Sequence, residues 1–218
     1  RAVATRRIRT GHCPYHLVLL QLEHDSSFQM HGQFDTQSVF LHHVIEGFAQ
    51  GAPKHHHLVF KAHPLENGRA PLHADIRRFG MQYGVSDRLH FVRGGKLAPL
   101  LDQAKSAVTV NSTAGQQVLW RGLPLRSFGA CVYDKSSLVS RQPIADFFAD
   151  PTYPDPKSYS AFRDFLLATS QLPGGFYSAG GRRQVMRQVT DLMLRADDPY
   201  VLHAPQTEAD KQQFRIVK

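Results

Sequence analysis

"VTVNSTAGQQVLWRGLP", Val108 to Pro124, opens as an apolar strand, breaks at Asn111, Ser112 and Thr113, and resumes with helical apolar spacing up to Gly122 and Pro124. With "PLRSFG" behind it as a further strand, the stretch reads as one strand–helix–strand unit. Working outward, the same alternation recurs. "YHLVLLQL" (Tyr15–Leu22) is a continuous apolar run of the kind buried on both faces of a parallel sheet. Next comes a helix, "TQSVFLHHVIEGFAQG", with Val39, Phe40, His43, Val44 and Phe48 near one face and a stop at Gly51 and Pro53. "HLVFKAH" and "RLHFVRG" read as strands, "APLHADIRRFGMQYG" and "KLAPLLDQA" as the helices after them, and "SAVTV" as the strand that opens the quoted unit.

Parallel strands joined by helices of this length require right-handed crossovers, so the fold class is α/β, a doubly wound, Rossmann-like parallel sheet. Beyond Tyr133, "RQPIADFFAD", "SYSAFRDFLLATSQL" and "GRRQVMRQVTDLMLRA" read as helices separated by Pro and Gly, expected to wrap the sheet. The expected organisation is residues 1–14 as a linker or remnant of an upstream domain, 15–135 as the Rossmann-like domain, 136–200 as C-terminal helices and 201–218 as a polar tail.

The 218 residues can bury a substantial core, and 42% hydrophobic with 20% charged residues excludes a disordered chain. No apolar run approaches the ~20 residues that span a bilayer. A net charge of +8 favours an anionic partner. Because the basic residues are scattered, with no stripe of interleaved aromatics, a nucleic-acid partner is not expected. Cys13 and Cys131 match no metal or redox spacing and read as reduced thiols.

In open parallel sheets, ligands bind beyond the carboxyl ends of the strands. Three unusual segments stand there: "QLEHDSS", "KAHPLENG" and "NSTAG". In the last, Ser112 and Thr113 sit where a helix N-terminus offers amides and partial positive charge to a phosphate, with Gly115 leaving room for close approach. A plain helix cap accounts for the same residues. His63, held extended by Pro64 and backed by Lys61, could hold or protonate a leaving phosphate, although a surface histidine is the simpler reading in a chain with 13 of them. Asp25, followed by Ser26 and Ser27, offers a carboxylate able to act as base or nucleophile, or simply a turn; Glu23 and His24 are neighbouring alternatives. His55, His56 and His57 are consecutive, do not share a face and are not expected to bind metal.

Taken in order, "QLEHDSS", "FKAHPLENG", "VNSTAGQQVLWRGLPLRSFGACVYD", "LVSRQPIADFFADP" and "TSQLPGGFYS" resemble the capsule polysaccharide biosynthesis and export family. Within it they are similar to the transferases that prime capsule chains by adding Kdo, an acidic sugar, to a phosphatidylglycerol-type lipid. The resemblance implies a GT-B glycosyltransferase architecture, with this chain as its donor-binding C-terminal half, and retaining β-Kdo transfer from CMP-Kdo without a cofactor or metal. It further implies Asp25 as the catalytic carboxylate, with Gln21 and Ser26 shaping the sugar site. His63 would bind the donor phosphate and support departure of CMP. Asn111, Ser112 and Thr113 would receive the phosphate or the sugar carboxylate, and Lys61 and Glu66 would assist donor binding. The implied partners are the CMP-sugar donor, an anionic lipid acceptor and other capsule synthesis and export proteins. The implied location is cytoplasmic, peripheral on the inner membrane. Related enzymes commonly carry an acidic residue in the helix after the Ser-Thr pair, where this chain has Gln116 and Gln117. Other readings of the same architecture are a sialyltransferase, a nucleotide-sugar epimerase, or a non-catalytic domain of a capsule export assembly.

Overall fold

A computed structural model of the chain describes residues 13–68, 70–176 and 178–202. Its first compact unit runs to Pro156 and its second begins at Lys157. In the first unit, β1 (Tyr15–Leu19), β2 (His57–Lys61), β3 (Leu89–Val92), β4 (Ser106–Thr109) and β5 (Leu125–Ser127) form one sheet in the order β3-β2-β1-β4-β5. All four pairings are parallel, as the strand–helix alternation requires. Every residue of β1 is buried because it is the central strand, which is why its sequence is continuously rather than alternately apolar.

Period-two alternation divides the strands between two cores. Val18, Leu58, Phe60 and Val108 belong to a cluster with Phe40, Leu41, Val44, Ile45 and Phe48 of α2 (Gln37–Gly51), Ile76 and Phe79 of α3 (Leu72–Gln82), and Phe147 and Phe148 of α6 (Ile144–Ala149). Leu17, Val59 and Ala107 are also buried but lie outside that cluster. Further buried residues, Leu100 and Leu101 of α4 (Ala98–Leu101) and Val118 and Leu119 of α5 (Gly115–Trp120), supply apolar surface on the return crossovers. Each of these large side chains contributes about 1.5–3 kcal/mol through burial.

Three local readings are corrected. Val39 is 50% exposed, while Leu41 and Ile45 are buried, so the core face of α2 runs through Phe40, Leu41, Val44, Ile45 and Phe48. The helix after β4 begins at Gly115 rather than Thr113, because Ser112 to Ala114 form a turn first. Finally, the segment after β1 is not simply a loop: Ser26–His31 form a helix, α1, with Asp25 as its N-cap.

Helix α6 packs on α2 and belongs with the sheet. The second unit holds α7 (Pro156–Thr169) from Lys157 on, α8 (Ala179–Met193) and α9 (Pro199–Leu202). Residues 1–12 of the expected linker and 203–218 of the expected tail lie outside the described residues.

Candidate functional site

The strand order reverses between β1 and β4, which creates a topological switch point at their carboxyl ends. Gln21, just beyond β1, and Asn111, just beyond β4, are both buried there. Gln21 donates from Nε2 to Asn111 Oδ1 at 2.7 Å, and its Oε1 accepts the backbone N–H of Asn111 at 2.9 Å. Asn111 also donates from Nδ2 to the carbonyl of Ser27 at 2.6 Å, tying β4 to the first turn of α1. The far end of α1 is held as well, since Ala130 N–H donates to His31 O at 2.9 Å and Gln33 N–H to Phe128 O at 3.0 Å. Helix α1, which itself follows β1, is therefore fixed to the segments that follow β4 and β5.

This arrangement leaves local structural work to two carboxylates of the first segment. The Asp25 carboxylate accepts the N–H of Ser27 at 3.0 Å, an N-cap that satisfies one amide left open at the start of α1. Asp25 and Ser26 remain exposed. The Glu23 carboxylate accepts the N–H of Gln37 at 2.8 Å, placing a negative charge at the positive end of α2. The side chain of Gln37 in turn donates to the carbonyl of Gln21.

After β2, Lys61 is buried and its ammonium donates to the carbonyl of Ala62 at 2.8 Å; burial lowers its pKa below the usual lysine range. His63 is half-buried and accepts the N–H of Leu65 on Nδ1 at 3.2 Å, which leaves the proton on Nε2. Glu66 accepts the N–H of Gly68 at 2.7 Å, and Gly68 adopts φ +86, a left-handed turn suited to glycine. These side-chain hydrogen bonds of Lys61, His63 and Glu66 thus stay within their own segment. Glu66 nevertheless lines a cavity of about 520 Å³ with Leu22, Glu23 and His24 from the first segment, Gln29 from α1 and Asp75 from α3.

After β4, Ser112 Oγ accepts the N–H of Ala114 at 3.2 Å, a bond within the turn and not the helix cap weighed from sequence, since α5 has Ala114 as its N-cap and no side-chain cap bond. This bond leaves the hydroxyl proton as a donor. Thr113 is exposed. A methyl group on Gly115 would collide with the ring and hydroxyl of Tyr133, whose hydroxyl donates to the carbonyl of Ser112. The missing side chain at Gly115 therefore serves an aromatic neighbour rather than an open approach. Neither Cys13 nor Cys131 is in a disulfide, and burial pushes the Cys131 thiol up to about 12, which suppresses thiolate chemistry.

The structure joins Gln21 with Asn111, and through Ser27 with the turn of Asp25 and Ser26; it joins Glu66 with Glu23 and His24 in one cavity. Sequence reasoning missed α1 itself. Its signal was present in Asp25 at a cap position, with Gly32 and Gly129 allowing the two backbones to meet.

Among the described residues, no group of three or more His, Cys, Asp or Glu could hold a metal ion, and no helix is long and apolar enough to cross a membrane. Residues 2–177 match the family model described as "Capsule polysaccharide biosynthesis protein". Over 163 residues the chain is 32% identical to the capsule polysaccharide export protein KpsS of Escherichia coli, covering 75% of this chain and 42% of that relative. Over 175 residues it is 31% identical to the capsule polysaccharide modification protein LipB of Neisseria meningitidis serogroup A, covering 79% and 42%. The chain spans less than half the length of these curated relatives. Among solved structures it is similar to Thermosulfurimonas dismutans KpsC, beta Kdo 2,7 transferase, with a TM-score of 0.46 and 18% identity over 66% of this chain and 45% of that one.

Proposed function

Because the chain belongs to the capsule polysaccharide biosynthesis family, we propose that it is the donor-binding half of a GT-B glycosyltransferase that moves Kdo from CMP-Kdo to a phosphatidylglycerol-type lipid with retention. The observation that carries this reading is the Gln21–Asn111 tie at the switch point. It couples the segment bearing Asp25 to the segment bearing Ser112, where parallel sheets receive nucleotides.

In this reading, Ser112 and Thr113 donate hydrogen bonds from their hydroxyls to the donor's phosphate or sugar carboxylate, and the Lys61 ammonium adds positive charge behind His63. His63 donates a hydrogen bond from Nε2–H to the departing phosphate as the glycosidic C–O bond to CMP breaks and negative charge gathers there. The Asp25 carboxylate either attacks the anomeric carbon, to be displaced by the acceptor hydroxyl in a second inversion, or stabilises the oxocarbenium ion while the acceptor enters from the departing face. Either course retains configuration. Gln21 and Ser26 shape the sugar site, and Glu66 contributes from the neighbouring cavity. The transfer occurs at the cytoplasmic face of the inner membrane, together with other capsule synthesis and export proteins.

Calorimetric titration of the 218-residue chain with CMP tests the donor site. Saturable binding is the expected result; a folded chain that takes up no CMP at millimolar concentration is instead a non-catalytic domain of a capsule assembly. Product analysis with CMP-Kdo against CMP-sialic acid then distinguishes Kdo transfer from sialyl transfer.

A further inference from the structure

Helix α8 buries one side and, among the described residues, leaves the other uncovered. Val185 is buried and Gln188, Val189 and Leu192 are partly covered, a spacing that defines its inner face. The outer sector carries Arg182, Arg183, Met186, Arg187 and Met193, with Leu194 at the C-cap just beyond, all exposed. Met186 is 64% exposed, and Met193 and Leu194 are each 80% exposed, which is unusual for side chains of this size in water. Three arginines share the helix with one acidic residue, Asp191. Beside the apolar positions, a groove of about 400 Å³ is lined by Gly180, Arg183, Gln184, Arg187 and Gln188, so two guanidinium groups and two carboxamides border one recess.

Both halves of this surface fit one occupant. Flexible apolar side chains can enter the acyl boundary of a bilayer, while arginine stems lie along it and their guanidinium groups reach the headgroup phosphates. Guanidinium groups bind phosphate oxygens in pairs, and the Arg183–Arg187 recess offers two of them one helical turn apart. We infer that the outer face of α8 docks the protein on an anionic phospholipid surface. The inference shares a lipid with the proposed reaction but rests on the α8 face alone, and its test contains no sugar donor, so each reading can fail without the other.

Co-sedimentation of the 218-residue chain with vesicles of phosphatidylcholine, alone or mixed with phosphatidylglycerol, measures the docking. Binding to the mixed vesicles is expected to be at least about tenfold stronger than to neutral ones and to weaken as salt is added. Arg183→Glu with Arg187→Glu should reduce it by roughly tenfold or more. Met186→Ser with Met193→Ser should weaken the binding that persists at high salt, while circular dichroism shows both variants folded. Equal binding to both vesicle types overturns the inference, as does full binding by the folded arginine variant. If the same substitutions instead abolish a concentration-dependent self-association seen without lipid, the face joins copies of the chain and the inference also falls.

Discussion

Gln21 and Asn111 exchange two hydrogen bonds across the gap between β1 and β4, one between side chains at 2.7 Å and one from the Asn111 backbone at 2.9 Å. Both residues are buried, so neither can replace a lost partner with bulk water. Gln21→Ala would strand the Asn111 amide and Oδ1, each costing about 1–3 kcal/mol, and should lower stability by about 2–4 kcal/mol in urea unfolding. CMP binding should weaken alongside it as α1 loses its anchor. A change below about 0.5 kcal/mol would show that water or another group satisfies Asn111 and that the tie does not organise the site.

Asp25 has a structural duty that can be separated from any chemical one. Asparagine caps helices as well as aspartate does, so Asp25→Asn should keep α1 and leave stability within about 0.5 kcal/mol, whereas Asp25→Ala should cost about 1 kcal/mol. If the carboxylate takes part in transfer, Asp25→Asn should lower turnover of CMP-Kdo by about three orders of magnitude with CMP affinity almost unchanged. Normal turnover by the folded Asn variant would reduce Asp25 to a helix cap.

The sheet was legible because its signal is collective. Strands β1, β2 and β4 came from largely apolar runs, and β1, buried along all five of its residues, had the longest one. Helix α1 was hidden because six residues with one buried side chain, Phe28, carry too little periodicity to stand out from a loop. Val39 was placed on the wrong side of α2 because an apolar residue adjacent to the true stripe looks like part of it. For the site, the segments could be named from sequence because the fold puts functional loops at the strand ends. The Gln21–Asn111 bond could not be named, since it depends on rotamers of residues 90 positions apart.

Gly115 shows the same limit at the scale of one atom. A glycine after Ser-Thr suggested space for a ligand, yet the space is filled by the Tyr133 ring, which also holds the Ser112 carbonyl. Gly115→Ala should therefore overpack this corner and cost about 1–3 kcal/mol. In a Tyr133→Ala background the same substitution should be nearly neutral, giving a coupling of at least about 1 kcal/mol in a double-mutant cycle. Additive effects would mean that Tyr133 moves aside freely and that Gly115 is kept for another reason.

At the opposite end of the strands, histidines form a network that makes stability depend on pH. His16 is 1% exposed, bonded through Nδ1 to Ser106 Oγ at 2.8 Å and through Nε2 to His56 at 2.9 Å, with Phe48 and Phe148 against its ring. His57 and His90 form a second pair at 2.9 Å. Burial first, then the neighbouring positive charge of His56 and Lys105, lowers the His16 pKa from 6.5 to about 3. His56, His57 and His90 are lowered too, each chiefly by burial. Since the folded protein holds His16 neutral while the unfolded chain protonates it, its contribution is complete above 6.5 and is lost as pH falls from there towards 3. Between pH 7 and pH 5 that loss amounts to about 2 kcal/mol for His16 alone. Urea unfolding at the two pH values should show a decline that is smaller by about this amount in His16→Gln, whose amide can still bond to Ser106. Parallel pH profiles for the chain and the variant would mean that His16 takes up its proton in the folded state without penalty, and that the network at this edge opens to water.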